Sequence, residues 1–407
     1  MKTYKITVLG DLMCEPPFLE AAKARGMDFD TALQPMKGLL SEADYVIGNM
    51  ESPVAGEEAV YTEWLASFNA PDEFPKAIKD LGVDLVSTSN NHAVDRGMDG
   101  MRKTLDTLDE IGLCHTGTRR NEKEDRVFYF KLGETTFAVI ASTYGVNETV
   151  NKVKLTEEDR KLLNLHNASL ADRKQPSNST STPELQKTRA LFTELLGREL
   201  SWEEGVRLKN AMGVPNPYAD DRFDPELIDL GTEWMEEAVR EAGRKSDLIL
   251  VMPHSGGQFN TAPGACSQYL LKKILNMGAD AVFMAHSHTT QRADILNGVP
   301  CFFSLGNVTM YGDTIWSTND SLPDFGLAAH LYVRDGVIQK TTFSVFRICI
   351  TEDHYLSVVP ADELYASLGS VKEKRDLAEK TAEVVARVTG LPAPMKPGKP
   401  KREYVLR

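Results

Sequence analysis

The sequence predicts an α/β protein, and three observations carry that prediction. Short apolar runs recur at Lys5–Gly10, Tyr45–Gly48, Leu85–Thr88, Phe137–Ser142, Leu248–Met252, Ala281–Met284 and Phe302–Leu305. Amphipathic segments with helical spacing lie between several of them. Four of the runs follow an aspartate and lead into a polar cluster, a repeated layout. Alternating strand-like and helix-like segments argue for the α/β class.

The elements follow in order. MKTYKITVLGD reads as a first strand, because its apolar stretch is too short for the core of a signal peptide. Met101, Leu105 and Leu108 mark one helix; Leu270, Leu271, Ile274 and Leu275 mark another. His330–Val337 and Gln339–Ile350 predict a β-hairpin around Asp335-Gly336. A final helix is expected from about Ala361 to Val388, with Leu364, Leu368 and Val371 on one face. Asn151 to about Asp224 lacks strand-like runs, while Leu185, Phe192, Leu195 and Leu196 have helical spacing. It reads as a mostly helical insertion with a flexible Ser/Thr/Pro loop (QPSNSTSTPELQK). The tail LPAPMKPGKPKREYVLR reads as an extended, solvated arm. The expected organisation is a main α/β domain of residues 1–150 and 225–355, an insertion at 151–224 expected to border the strand-end edge as a lid, and a C-terminal helix and tail at 356–407.

Composition narrows the function classes. The 407 residues include 46 basic and 59 acidic ones, a net charge of −13. A hydrophobic fraction of 42% and a charged fraction of 26% exclude collagen, fibre and general disorder. The acidic balance argues against nucleic-acid binding, which needs clustered Lys and Arg. An anionic substrate, small or polymeric, remains compatible if a metal supplies positive charge. No apolar run approaches the roughly 18 residues of a membrane span. Cys14, Cys114, Cys266, Cys301 and Cys349 are scattered and never form a CxxC pair, so neither a disulfide framework nor a zinc knuckle is expected. A cytoplasmic setting is the default expectation, and the sequence leaves the oligomeric state open.

The repeated layout delivers polar residues to one edge. Asp44 leads to Glu51, Asp84 to Asn91 and His92, and Asp247 to His254; in each case the key residue lies seven positions on. Asp280 leads to His286 and His288, and the first strand ends in Gly10-Asp11. A strand of four or five residues fills most of each interval. Each cluster therefore sits at the carboxyl end of its strand, the edge where α/β sheets bind ligands. Singly, Asp11 reads as a helix cap, Asn49 and Asn90 as turn residues and His254 as a buried core histidine. Together, Asp11, Glu51, Asn91, His92, His254, His286 and His288 point to a shared metal site. Cys14 is read as a non-ligand thiol, and His115, His166, His330 and His354 as structural or exposed.

Carboxylate, amide and imidazole donors suit borderline divalent ions such as Mn, Fe, Zn or Co. Even six of these seven residues as ligands exceed the usual three of one open catalytic zinc. They suit two metals sharing a carboxylate, a pair that clamps an anionic oxygen and acidifies water. The natural chemistry is hydrolysis, most readily of a phosphoester. Weaker candidates for substrate contact are Arg96, the Ser255-Gly256-Gly257-Gln258 backbone and Asn307. Trp64, Phe68 and Asn69 are candidates for one wall.

GDLM, GNMES, SNNHAVDRG, MPHSG, AHSH and SLGN, in this order, resemble the motif series of the bacterial capsule-synthesis (CapA, poly-γ-glutamate capsule) family. That family lies within the calcineurin-like metallophosphoesterase superfamily. The resemblance covers about residues 4–145 and 246–310. It implies a four-layer α/β/β/α sandwich, here with a helical insertion and a C-terminal helix, and a centre of two divalent metals, with Mn, Fe or Zn expected. By motif, Asp11 and His288 belong to the first metal, Asn91, His254 and His286 to the second, and Glu51 bridges. His92 is implied as the general acid, oriented by Asp95. DLM in place of DxH removes one histidine from the first metal, and AHSH replaces GHxH.

Three functions stay open on the sequence: a metal-dependent phosphoesterase, a γ-glutamyl or amide-bond enzyme connected with poly-γ-glutamate, and a non-catalytic capsule-assembly protein. His92 beside the ligand set argues against the third. The sequence opens on its first strand, whereas capsule-assembly members of the family commonly carry an N-terminal membrane anchor, so a soluble cytoplasmic role is the expectation.

Overall fold

The computed structural model describes residues 2–63, 67–168, 182–212, 220, 223–311, 321–351, 353 and 355–407. Trp64, His354 and most of the Ser/Thr/Pro loop lie outside them.

Two β-sheets form the body. β1 (Tyr4–Leu12), β2 (Tyr45–Met50), β3 (Leu85–Ser87) and β4 (Cys114–Thr116) run parallel in the first sheet. β5 (Phe128–Leu132), β6 (Thr135–Thr143), β7 (Leu248–His254), β8 (Ala281–Phe283), β9 (Ala293–Leu296) and β10 (Val299–Phe302) form the second, in the order β5-β6-β7-β8-β10-β9. β11 (Asn307–Thr309), β12 (Phe325–Arg334), β13 (Val337–Ile350), β14 (Leu356–Pro360) and β15 (Tyr404–Val405) complete the first. Its order is β14-β13-β12-β1-β2-β3-β4, with β11 on β1 and β15 on β13.

Period-two alternation explains the layering. On β6, Phe137, Val139 and Ala141 face the inter-sheet core with Ile6, Val8, Ile47, Leu327 and Phe343. Ala138 and Ile140 face the opposite way, against Met235, Val239, Leu270 and Ile274 of the helices Glu233–Ala242 and Ala265–Met277. Val46, Met50 and Val86 face a third cluster with Phe18, Phe29, Phe74 and Ile78. The result is helix, sheet, sheet, helix.

The four repeated aspartates have a common structural role. The Asp44 amide donates to Lys5 O (2.7 Å) and its carboxylate accepts from Lys5 N (2.9 Å). Asp84 does the same with Val46, Asp247 with Thr136 and Asp280 with Ile249, each accepting at 2.8 Å. Each aspartate clamps the foot of its strand to the neighbouring one. Register is thus fixed at the edge opposite the polar clusters.

The predicted hairpin forms between β12 and β13, with Asp335 and Gly336 at φ of 54° and 71°. Such a primed turn suits the strand twist. Three expectations are corrected. The final helix is two, Ala361–Ser367 and Val371–Thr389, because Leu368 is extended and Ser370 caps the second. Val371 is consequently exposed, and Leu377, Ala378, Thr381, Val384 and Val388 form the buried face. The tail is no free arm, since Tyr404 and Val405 pair with Phe343 and Thr342. The apolar run at Phe302–Leu305 is strand only through Phe302, and the strand begins earlier, at Val299.

After β6 the chain passes through the helix Glu148–Asn151 and returns along the body, with Leu163 bridging Thr118 and Leu165 bridging Thr143. The helices Pro183–Leu196 and Trp202–Ala211 follow. On the first, Leu185 is buried while Leu191, Phe192, Leu195 and Leu196 are exposed. Among the described residues, no helix is long and apolar enough to cross a membrane.

Candidate metal centre

The carboxyl ends of β1, β2, β3, β7 and β8 converge, because these strands run parallel within their sheets. Asp11 lies at a bulge where β1 passes β11. The close approach requires Gly10, whose Cβ would stand 1.9 Å from Gly306 O. Glu51 follows β2, Asn91 and His92 follow β3, His254 ends β7, and His286 and His288 follow β8. All seven are buried.

The Asp11 carboxylate accepts from Asn49 Nδ2 (2.8 Å) and from the His286 amide (3.1 Å). His288 Nδ1 stands 3.4 Å from Asp11 Oδ2, and His288 Nε2 3.7 Å from Glu51 Oε1. His254 Nε2 lies 2.7 Å from Asn91 Oδ1, 3.2 Å from Glu51 Oε1 and 3.2 Å from His286 Nδ1. One imidazole nitrogen carries at most one proton, so it can donate to only one of these three neighbours. Among the described residues, neither oxygen of the fully buried Glu51 carboxylate has a hydrogen-bond partner. Buried charge left this way is costly, and a divalent cation removes the cost. Two sets of donors have the mutual spacing to hold an ion: Asp11, Glu51 and His254, within 4.8 Å of one another, and Glu51, His286 and His288, likewise. Glu51 is common to both.

The electrostatics set the two loop histidines apart. Burial, with the neighbouring His254 and His288, holds His286 well below the usual histidine range, ready as a neutral ligand. Burial would also lower His288, but Glu51 and Asp11 outweigh it and lift it to about 9. Burial opposes ionisation of Asp11, and His288 and His254 overcome it, so its pKa is lowered. His286 and His288 adopt φ of 100° and 51°. Left-handed backbone at two non-glycine residues persists only where the surroundings impose it.

His92 lies beside this cluster. Its Nδ1 is 2.6 Å from Asp95 Oδ2, which also accepts from the Phe68 amide (2.7 Å). Asp95 Oδ1 accepts from Asn151 Nδ2 (2.7 Å). The Asn147 amide group is 3.4 Å from His92 Nδ1, and the Phe68 ring 4.2 Å from the imidazole centroid. Burial lowers the His92 pKa, but Asp95 more than offsets it, so the net shift is upward.

The weaker candidates have other tasks. Arg96 engages Ala59 O, Val60 O, Ser67 Oγ and Ser67 O, pinning the loop after Glu51. The Ser255 amide donates to Ala285 O at 2.9 Å, so it does not serve an anion. Gly256 has φ 137°, and a Cβ there would meet Ser287 Oγ at 2.7 Å. Asn307 Oδ1 is 2.9 Å from His288 Nδ1, orienting that ring. Asn69 bonds Gly56 O and Val60 O within its own loop.

Sequence reasoning missed several neighbours. Asn49 is a strand residue, not a turn; its amide lies between Asp11 Oδ1 and His254 Nδ1 (3.2 Å). Its position two before Glu51, in phase with strand alternation, is the signal the sequence carries. Asn90 both turns the chain and donates to Met50 O at 2.9 Å. The Tyr144 ring is 4.8 Å from His286. Glu15 is buried, accepts from the Tyr311 amide (2.6 Å) and is pushed by burial up to about 7. No spacing pattern marked it.

The family model for bacterial capsule synthesis protein PGA_cap matches residues 5–311. The chain belongs to this family. Two relatives of this PGA_cap chain are the PGA biosynthesis protein CapA of Bacillus subtilis and the capsule biosynthesis protein CapA of Bacillus anthracis. The first is 23% identical, over 79% of this chain and 68% of its own length. The second is 22% identical, over 78% of this chain and 62% of its own length, under two thirds. Among solved structures, a hypothetical protein from Thermus thermophilus aligns with a TM-score of 0.38 and 14% identity, over 88% of this chain and 97% of that one.

Proposed function

We propose that the protein is a metal-dependent hydrolase of phosphoesters, with Asp11, Glu51, Asn91, His254, His286 and His288 holding two divalent ions. The observation that carries this reading is Glu51, a fully buried carboxylate whose two oxygens accept no hydrogen bond from any described residue, facing His254 and His288. Asp11, Glu51 and His254 have the spacing for one position and Glu51, His286 and His288 for the other, with Asn91 against His254; this exchanges His254 and His288 between the two ions relative to the motif assignment. Bound divalent ions supply Lewis acidity toward a phosphoryl oxygen and toward water.

The chain's own groups do the rest. Asp95 holds the proton of His92 Nδ1, which leaves Nε2 as the position that gives a proton to the leaving oxygen. The Phe68 amide and Asn151 fix Asp95, so the imidazole keeps its tautomer and direction. Asn49 and Asn307 orient His254 and His288. Phe68 and Phe259, both buried, lie tilted against His92 and His288 and give the cluster an apolar border. The segment after β6 supplies Tyr144, Asn147 and Asn151 to the rim, which supports the insertion at 151–224 as a wall that sets specificity. A second reading, hydrolysis of a γ-glutamyl amide, draws on the relatives' names, PGA biosynthesis and capsule biosynthesis.

The test is elemental analysis of purified protein after incubation with Mn, Fe and Zn. Wild type is expected to retain metal, and Glu51→Ala and His286→Ala to lose most of it. Wild type that stays metal-free with all three ions ends this reading.

A further inference from the structure

We propose that Arg387 is a positioning residue for the histidine loop, so that the C-terminal helix sets the metal affinity of the centre. The inference rests on the metal-binding reading above, and it concerns a helix outside residues 5–311, the part matched by the family.

Arg387 lies near the end of the helix Val371–Thr389, with a side chain only 10% exposed. Its Nη1 donates to Thr289 Oγ1 (3.0 Å), Thr290 O (3.4 Å) and Ser321 O (2.5 Å). Its Nη2 reaches Glu383 one turn back, at 3.2 Å. Thr289 Oγ1 in turn donates to Ser321 O at 2.5 Å. Thr289, Thr290 and Ser321 are all buried. The guanidinium therefore ties together two segments of the body, and one of them begins at the residue after His288.

That location is where a tie matters. His286 and His288 both hold left-handed backbone, at φ of 100° and 51°. Such a conformation relaxes unless neighbours over-determine it. Upstream, the Asp11 carboxylate holds the His286 amide, and Asn307 holds the His288 ring. Downstream, the bridge of Thr290 with Leu305 and the Arg387 bonds hold the loop's exit. Outer-shell partners of metal ligands typically matter by about 10–100-fold in affinity. The guanidinium gives Nη1 to the body and Nη2 to Glu383; a lysine ammonium is a single point charge and cannot hold both in this geometry.

The experiment uses the full chain and two readouts. Mn affinity is measured by titration, and amide exchange of residues 285–291 is followed in the metal-free protein. Arg387→Met is expected to weaken Mn binding about tenfold or more, Arg387→Lys to fall between it and wild type, and Glu383→Gln to leave affinity unchanged. Exchange in the loop should accelerate in the same order. Thr289→Val cuts the tie from the other side and should weaken Mn binding likewise, which keeps the test available if Arg387→Met misfolds. A lowered melting temperature with Mn affinity within twofold of wild type would reduce Arg387 to a helix anchor and overturn the inference. Wild type that takes up no Mn would defeat the metal reading instead. Loop exchange then decides the positioning role alone: faster exchange in Arg387→Met upholds it, and unchanged exchange overturns it.

Discussion

In the proposed function His92 is the residue on which the chemistry turns, and its surroundings differ from those of the proposed metal ligands. A histidine whose Nδ1 is held 2.6 Å from a carboxylate that has two further donors has one position left for proton exchange. His92→Ala is therefore expected to keep its metal content and fold while kcat falls about 10²–10⁴-fold, the usual worth of general acid–base catalysis. Elemental analysis and circular dichroism check the first part, and steady-state kinetics the second. Loss of metal in that variant would make His92 a ligand. The i, i+3 spacing of His92 and Asp95 was legible in the sequence, as were the histidines after β8. Asn151 and the Phe68 amide were not, because their contact with Asp95 depends on where two loops return. Arg96, close to His92 in sequence, is held by the carbonyls of the loop after Glu51, a set of partners that the sequence did not display.

Among elements, the parallel strands were readable because each carries an apolar run bounded by an aspartate and a polar cluster. The aspartates reveal why: each clamps a strand foot, so the pattern encodes register as well as fold. The short strands β4, β9, β11 and β15 lack such a run, and the tail was read from composition alone. What fixes the tail is Glu403, which accepts from Lys5 Nζ (2.8 Å), Tyr332 Oη (2.7 Å) and Thr342 Oγ1 (2.6 Å). Burial alone would raise its pKa, but these bonds outweigh it and bring the value from 4.5 down to about 2. The bound form is the carboxylate. Its stabilisation is present in full above pH 4.5 and is lost as pH falls through the folded value near 2. Glu403→Gln should thus cost about 2 kcal/mol at pH 7, in the range for hydrogen bonds to a charged group. The difference from wild type should shrink toward zero as pH falls from 4.5 to 2. Denaturant unfolding of both proteins at pH 7, 4 and 2.5 measures it; an equal difference at all three would contradict the assignment.

At the scale of the whole molecule, two sheets meet so that residues from the first strand, Asp11, and from the strand ends near position 290 share one buried cluster. Between them, aspartates clamp strand feet at one edge, the polar cluster gathers at the other, and helices close both outer faces. The choice between phosphoester and amide chemistry belongs to this scale, since it depends on what the assembled site protonates. The most direct measurement is a parallel assay of the Mn-loaded protein on p-nitrophenyl phosphate, bis-p-nitrophenyl phosphate and a γ-glutamyl anilide, each repeated with His92→Ala. Turnover of a phosphoester that requires Mn and collapses in His92→Ala is the predicted result. Turnover of the anilide alone, abolished by the same substitution, would contradict it.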